Sequence, residues 1–201
     1  MNKSPLIFLA SASPRRRELL QQIGVSFELI KTDVDETPLL NENPTAYVKR
    51  LAQAKASAGW QQVEQGLLRL PVLGADTTVV CDGKFLGKPR DKNDVISMLT
   101  LLSGRTHQVL SGVAMVYEQK ILSRVSVTDV TFNKITTTQI EAYWQTGEPM
   151  DKAGSYAIQG FAAIFVKEIK GSFSNVVGLP LYETAELLQA FNIPVWWSRH
   201  E

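Results

Sequence analysis

The stretch PVLGADTTVVCDGKFLGKPRD, Pro71 to Asp91, reads as a mostly buried strand, an Asp-Gly turn, a short return strand and a loop. Upstream, Leu6 to Ala10 reads as a buried strand, Pro14 to Gln22 as a helix, and FELIK (Phe27 to Lys31) as a second strand. A β-α-β order thus runs into a hairpin. Alternation with hairpins predicts an α/β protein with an elongated mixed β-sheet flanked by helices, not a purely parallel doubly wound one.

Working outward, TDVDETP is a polar loop, and Pro44 begins a long helix. Tyr47, Val48, Leu51, Ala54, Lys55 and Ala58 recur there at spacings of three and four, which puts Lys55 on the inward stripe. Asp94 to Leu102 reads as a helix, and VLSGVAMVY and Ile121 to Phe132 as an antiparallel hairpin around Glu118-Gln119. Thr137 to Gln145 is a further helix, DKAGSYAIQG a Gly-rich polar segment, AIFVKEI a strand and LYETAELLQAF a last amphipathic helix. No repeat or linker interrupts the chain, so residues 1 to 201 are expected to form one domain, with two lobes around a cleft.

Composition limits the function classes. The 201 residues are 44% hydrophobic and 20% charged, which is ordinary for a globular protein, and the net charge of +1 offers no global attraction for nucleic acid or membranes. Any anion site must be local. The lone Cys81 excludes an intrachain disulfide and a cysteine-rich zinc site, and points to the cytoplasm. Lys3, LIFLA and SAS mimic a secretory signal, but the apolar run is shorter than the ~7–15 residues of a signal core.

Several residues are costly unless they have work to do. In SASPRRRELL, Ser13 reads as a helix N-cap with Pro14 first in the helix, so Arg15, Arg16 and Arg17 crowd an end that the helix dipole already makes positive. Backbone N–H groups and guanidinium forks together suit phosphate. Successive residues turn by about 100°, so the three arginines cannot all converge on one ligand. Asp76 lies inside an apolar strand, where a carboxylate must be paired, bound to metal or aimed into a cleft. Asp33, Asp35 and Glu36 form an acidic loop that suits magnesium or manganese or is simply solvated. Lys55 and Lys88 could neutralise phosphate. His107 reads as a structural hydrogen-bonding residue, since His107 and His200 are too few for a histidine-rich metal site. Trp196-Trp197 reads as packing or a contact surface.

Taken in order, SASPRRRELL, TDVDE, AQAKA, GADTTVV, GKPRD, SGRTHQV, DKAGSYAIQG and NVVGLPLYET resemble the Maf family of nucleotide pyrophosphatases, from about Leu9 to about Leu188. The resemblance implies an inosine triphosphatase-like architecture and hydrolysis of a nucleoside triphosphate to monophosphate and pyrophosphate with a divalent metal (Mg, Mn or Co). It marks Asp76, Glu36, Lys55 and Lys88 as catalytic, with Glu36 and Asp76 on the metal. Ser11, Arg15, Arg16, Thr77 and Gln159 would bind substrate and set specificity. Thr77 and Gln159 fit the branch acting on dTTP and UTP. A Gln159 amide offers one donor and one acceptor, complementary to N3–H and an adjacent carbonyl of uracil or thymine, a pattern that cytosine partly reverses. Family members are often dimers, so a homodimer is a further expectation. Two other readings stay open at this point. One is a nucleotide-sensing module without turnover, acting in cell division or septum inhibition; the other is a purine or methylated GTP pyrophosphatase.

Overall fold

A computed structural model describes residues 4–196, so Lys3, Trp197 and His200 lie outside the described residues. The chain folds as β1 (Ile7–Ala10), α1 (Pro14–Gln22), β2 (Phe27–Leu29), α2 (Pro44–Val63), β3 (Val72–Cys81), β4 (Lys84–Leu86), α3 (Lys92–Leu102), β5 (Thr106–Tyr117) and β6 (Lys120–Phe132). It continues with α4 (Thr137–Gln145), β7 (Val166–Lys170), α5 (Phe173–Val177) and α6 (Leu181–Ala190). The seven strands form one mixed sheet ordered β2-β1-β3-β5-β6-β7, with β4 paired to β3. β1 runs parallel to β2 and β3, whereas β4 and β7 pair antiparallel. The mixed α/β class expected from the hairpins is therefore the observed one.

Two expectations need correcting. FELIK pairs only over Phe27–Leu29. The segment AIFVKEI begins as a 3-10 turn, Phe161–Phe165, before β7. The short helix α5 follows Gly171 and was not anticipated; five residues are too few to show a helical period.

The chain divides into two compact units, the first comprising residues up to Asp76, Ser111–Ser126 and the chain from Gly178 onward. Its core packs α2 on the sheet through Phe8, Ala10, Ala52, Ala56, Trp60, Val72, Ala114 and Val116. Small residues on the helix side permit a close approach. A Cβ at Gly74 would meet the Ala56 backbone nitrogen 2.5 Å away, and one at Gly112 would run into the Val48 carbonyl. Glycine at both points lets α2 lie almost on the strand backbones.

The second unit comprises Thr77–Leu110 and Val127–Val177. There α3 and α4 pack together and a 3-10 turn at Ala153–Ser155 lies against α3 and β4. An aromatic cluster fills the unit: His107, Phe132 and Tyr156 meet edge-on with ring centroids 4.8 to 5.5 Å apart, and Tyr143 stacks edge-on to Phe165. Edge-to-face contacts of this kind favour the ring quadrupoles as well as burying area.

Candidate active site

In the first unit, period-two alternation places Gly74 and Asp76 on the same face of β3. Because Gly74 admits α2 so closely, Asp76 meets that helix and is largely sheltered from solvent. Lys55, one residue before the buried Ala56, reaches it: Lys55 Nζ lies 2.7 Å from Asp76 Oδ1 and 2.6 Å from Glu36 Oε1. One ammonium thus bridges a carboxylate inside the sheet and one in the acidic loop. The Lys55 and Asp76 side chains are 14% and 10% exposed, Glu36 53%, so the pair is sheltered on one side and open on the other.

Electrostatics follow from that placement. Burial pushes the Asp76 carboxyl above the usual carboxylate range, opposed by Lys55 and Arg16, with Glu36 adding to the rise. The hydroxyl of Tyr47 donates to the Glu36 carbonyl at 2.9 Å, and burial, with Asp76 and Glu36 nearby, pushes its phenol up to about 12. Tyr47 is a participant the sequence reading used only as a core-stripe residue. Its spacing of eight from Lys55, two helical turns, was the available signal.

α1 starts at Pro14, and Ser13 takes the extended N-cap conformation without a side-chain cap bond. The Ser13 N–H instead donates to Ser11 Oγ at 3.2 Å. Arg16 is tied into the protein: Nε donates to the Gly178 carbonyl at 2.8 Å, and Nη1 to the Ala75 carbonyl at 2.9 Å and Ser11 Oγ at 3.1 Å. Arg16 therefore pins the carbonyl next to Asp76. Burial lowers its pKa from the ordinary arginine value, Asp76 resists the fall, and Arg15 adds to it. The Arg15 side chain makes no hydrogen bond to another described residue, and the residue is half-buried on the first turn of α1. Asp33 and Asp35 are exposed, and Asp35 is occupied by the Thr37 N–H at 2.9 Å.

Thr77, Lys88 and Gln159 belong to the second unit. Thr77 is the next residue of β3 and faces away from the side that carries Asp76. Lys88 is exposed in the loop between β4 and α3, and the Gly154 N–H donates to the neighbouring Gly87 carbonyl at 3.1 Å, which ties GKPRD to DKAGSYAIQG. Gln159 is exposed at the tip of a turn whose flanks, Ile158 and Ala162, are buried. His107 is 2% exposed and bonds through Nε2 to Tyr156 Oη at 2.9 Å, the structural role expected of it.

Among the described residues no three His, Cys, Asp or Glu side chains gather into a protein-only metal cage. Glu36 and Asp76 nonetheless bring two carboxylates against the same Lys55 ammonium, and a pair of neighbouring carboxylates is the donor type with which Mg²⁺ or Mn²⁺ is held together with substrate phosphates and water. The residues present fit such an ion.

The chain belongs to the family of Maf-like proteins, which it matches over residues 6–191. It is 54% identical over 190 residues to a "dTTP/UTP pyrophosphatase" of Saccharophagus degradans, covering 94% of this chain and 90% of that protein. Proteins of the same name are 54% identical in Pseudoalteromonas translucida (92% and 96% covered) and 50% identical in Alkalilimnicola ehrlichii (98% and 96% covered). Among solved structures, the Ham1 protein of Staphylococcus aureus is similar at a TM-score of 0.49 and 13% identity, covering 92% of this chain and 97% of that one.

Proposed function

We propose that this chain, acting as a single pyrophosphatase domain, hydrolyses dTTP and UTP to the monophosphate and pyrophosphate. The observation that carries the chemistry is Lys55 held between Glu36 and Asp76. Water attacks the α-phosphorus, the bond from that phosphorus to the bridging oxygen breaks, and pyrophosphate departs with the electron pair. Asp76 accepts the proton of the water. A carboxyl whose pKa burial has raised is a better base than an exposed one, and Lys55 and Arg16 oppose that rise by favouring the ionised form. Lys55, Lys88 and Arg15 oppose the phosphate charge, with the positive end of the α1 dipole adding to them. Arg16, whose Nη1 also donates to Ser11 Oγ, holds the Ala75 carbonyl and so keeps Asp76 in place. Glu36 and Asp76 would hold a divalent ion, which would supply Lewis-acid charge neutralisation there. Gln159 reads the pyrimidine, and Thr77 contributes to substrate choice.

Relatives sharing half of this sequence are named as pyrophosphatases, which favours turnover over a sensor without catalysis. The test is a panel of dTTP, UTP, CTP, methylated GTP and inosine triphosphate with magnesium, manganese or cobalt, following pyrophosphate release. Hydrolysis of dTTP and UTP is expected, with ¹⁸O from labelled water recovered in the monophosphate. Purine activity equal to or above that on dTTP would overturn the role given to Gln159, and label in pyrophosphate would overturn attack at the α-phosphorus.

A further inference from the structure

We infer that Tyr143 and Glu148 form a clamp that fixes the turn carrying Gln159, making them positioning residues for discrimination of the base. The inference rests on the reading that Gln159 meets the pyrimidine. The Tyr143 hydroxyl donates to Glu148 Oε1 at 2.8 Å and accepts the Ala157 N–H at 3.3 Å. On the far side of the turn, Glu148 Oε2 accepts the Phe161 N–H at 2.9 Å and Oε1 the Ala162 N–H at 3.3 Å. The Gly160 N–H closes the turn onto the Ala157 carbonyl at 3.1 Å. Both flanks of Gln159 are therefore tied to one tyrosine–carboxylate pair.

Glu148 is itself anchored. Its N–H donates to Thr146 Oγ1 at 3.1 Å, and Thr146 Oγ1 donates to the Tyr143 carbonyl at 2.7 Å. Its carboxylate occupies the space a side chain at position 160 would need, since a Cβ there would run into it. A side chain at position 160 would therefore have to displace the Glu148 carboxylate and open the clamp. The chemical consequence concerns precision. A side-chain amide separates two bases by hydrogen-bond pattern only if its backbone cannot shift to accommodate the wrong one. Gln159 is exposed, so its own surroundings do not hold it; the charge-assisted bonds to its neighbours do.

The test compares Glu148→Gln, Tyr143→Phe and Gln159→Ala with the parent enzyme, measuring kcat and KM for dTTP and CTP together with thermal melting. In Glu148→Gln one amide N–H₂ faces backbone or phenolic donors that the carboxylate accepted. The expected result is a fall of about tenfold in the dTTP:CTP ratio of kcat/KM, the size of losing one charge-assisted bond, carried mainly by KM for dTTP. Tyr143→Phe gives a smaller fall in the same direction. A folded Glu148→Gln with an unchanged ratio, beside a Gln159→Ala that abolishes discrimination, would overturn the clamp and leave the base reading standing. If Glu148→Gln does not fold, the same comparison is made with Tyr143→Phe. A ratio unmoved in Gln159→Ala would overturn the base reading and the clamp with it. Variants that melt early or lose kcat while keeping the ratio would mark a merely structural pair, and would also overturn it.

Discussion

The two units treat their sheltered polar groups in opposite ways. In the first, Asp76 keeps a charge inside a sheet, held by Lys55 and Arg16 at the cost of desolvation. In the second, His107 and Tyr156 are equally enclosed but neutral, and burial pushes His107 down to about 4. Glu148, in the same unit, turns its oxygens towards backbone N–H groups and a phenol. The difference separates two purposes. A charge retained against burial next to an open side is available to a substrate, whereas a neutral pair among aromatic rings serves to fill the core.

The largest expected effect comes from removing the retained charge. Asp76→Asn should reduce kcat on dTTP by three orders of magnitude or more, the scale of losing a general base, while KM changes far less. Its stability should not fall in parallel. Because burial raises the Asp76 pKa above its unfolded value, ionisation opposes folding as pH rises, so the uncharged amide should hold or raise Tm at pH 8. The same sign places the acid limb of the kcat/KM profile above the ordinary aspartate value, since activity needs the ionised form and disappears as pH falls through the raised pKa. Near-normal turnover in Asp76→Asn would remove Asp76 from the mechanism.

A smaller effect, in stability alone, is expected of the neutral pair. The His107 pKa is depressed from 6.5 to about 4, so its stabilising contribution is present above 6.5 and is lost as pH falls towards 4, where the unfolded chain binds a proton that the fold refuses. The shift corresponds to about 3 kcal/mol. The double variant His107→Phe, Tyr156→Phe removes both partners and leaves neither unpaired. Denaturant unfolding at pH 7 and pH 4 should show the parent losing more stability than the variant by about that amount. Equal losses would mean that His107 is not the group responsible.

What could be read in the sequence follows the same division. The costly Asp76 stood out because a carboxylate interrupts an apolar strand, and Lys55 because a helical period of 3.6 placed a cation on an inward stripe. Their meeting could not be read, because it depends on how closely α2 approaches β3 across a separation of about twenty residues. Arg16 illustrates the complementary blind spot. Its charge suggests a phosphate partner, and in the fold its Nε and Nη1 also donate to the carbonyls of Gly178 and Ala75 and the hydroxyl of Ser11, contacts made by residues with no chemical signature of their own. Glu148 offered even less, since a glutamate in a Gly/Pro-rich loop is ordinarily solvated.

The contrast can be sharpened through geometry, with no charge altered. Gly74→Ala adds one methyl group to β3 where its Cβ would run into the Ala52 carbonyl and approach the Ala56 nitrogen and Cβ, so α2 must move outward. Overpacking of this kind costs about 1–3 kcal/mol. The same displacement carries Lys55, which lies between Ala52 and Ala56 on that helix, away from Asp76 on the opposing strand. Misplacing a catalytic group by an ångström lowers rate steeply, so kcat on dTTP should drop about tenfold or more in protein that is still folded at assay temperature. Gly87→Ala, where a Cβ meets nothing within 4 Å, should leave Tm unchanged and serves as the steric control. A Gly74→Ala enzyme that loses stability but keeps its kcat would show that the Lys55–Asp76 contact tolerates movement of α2. Asp76 would then depend chiefly on Arg16 and the Ala75 carbonyl for its placement, and the close packing of α2 would belong to stability alone.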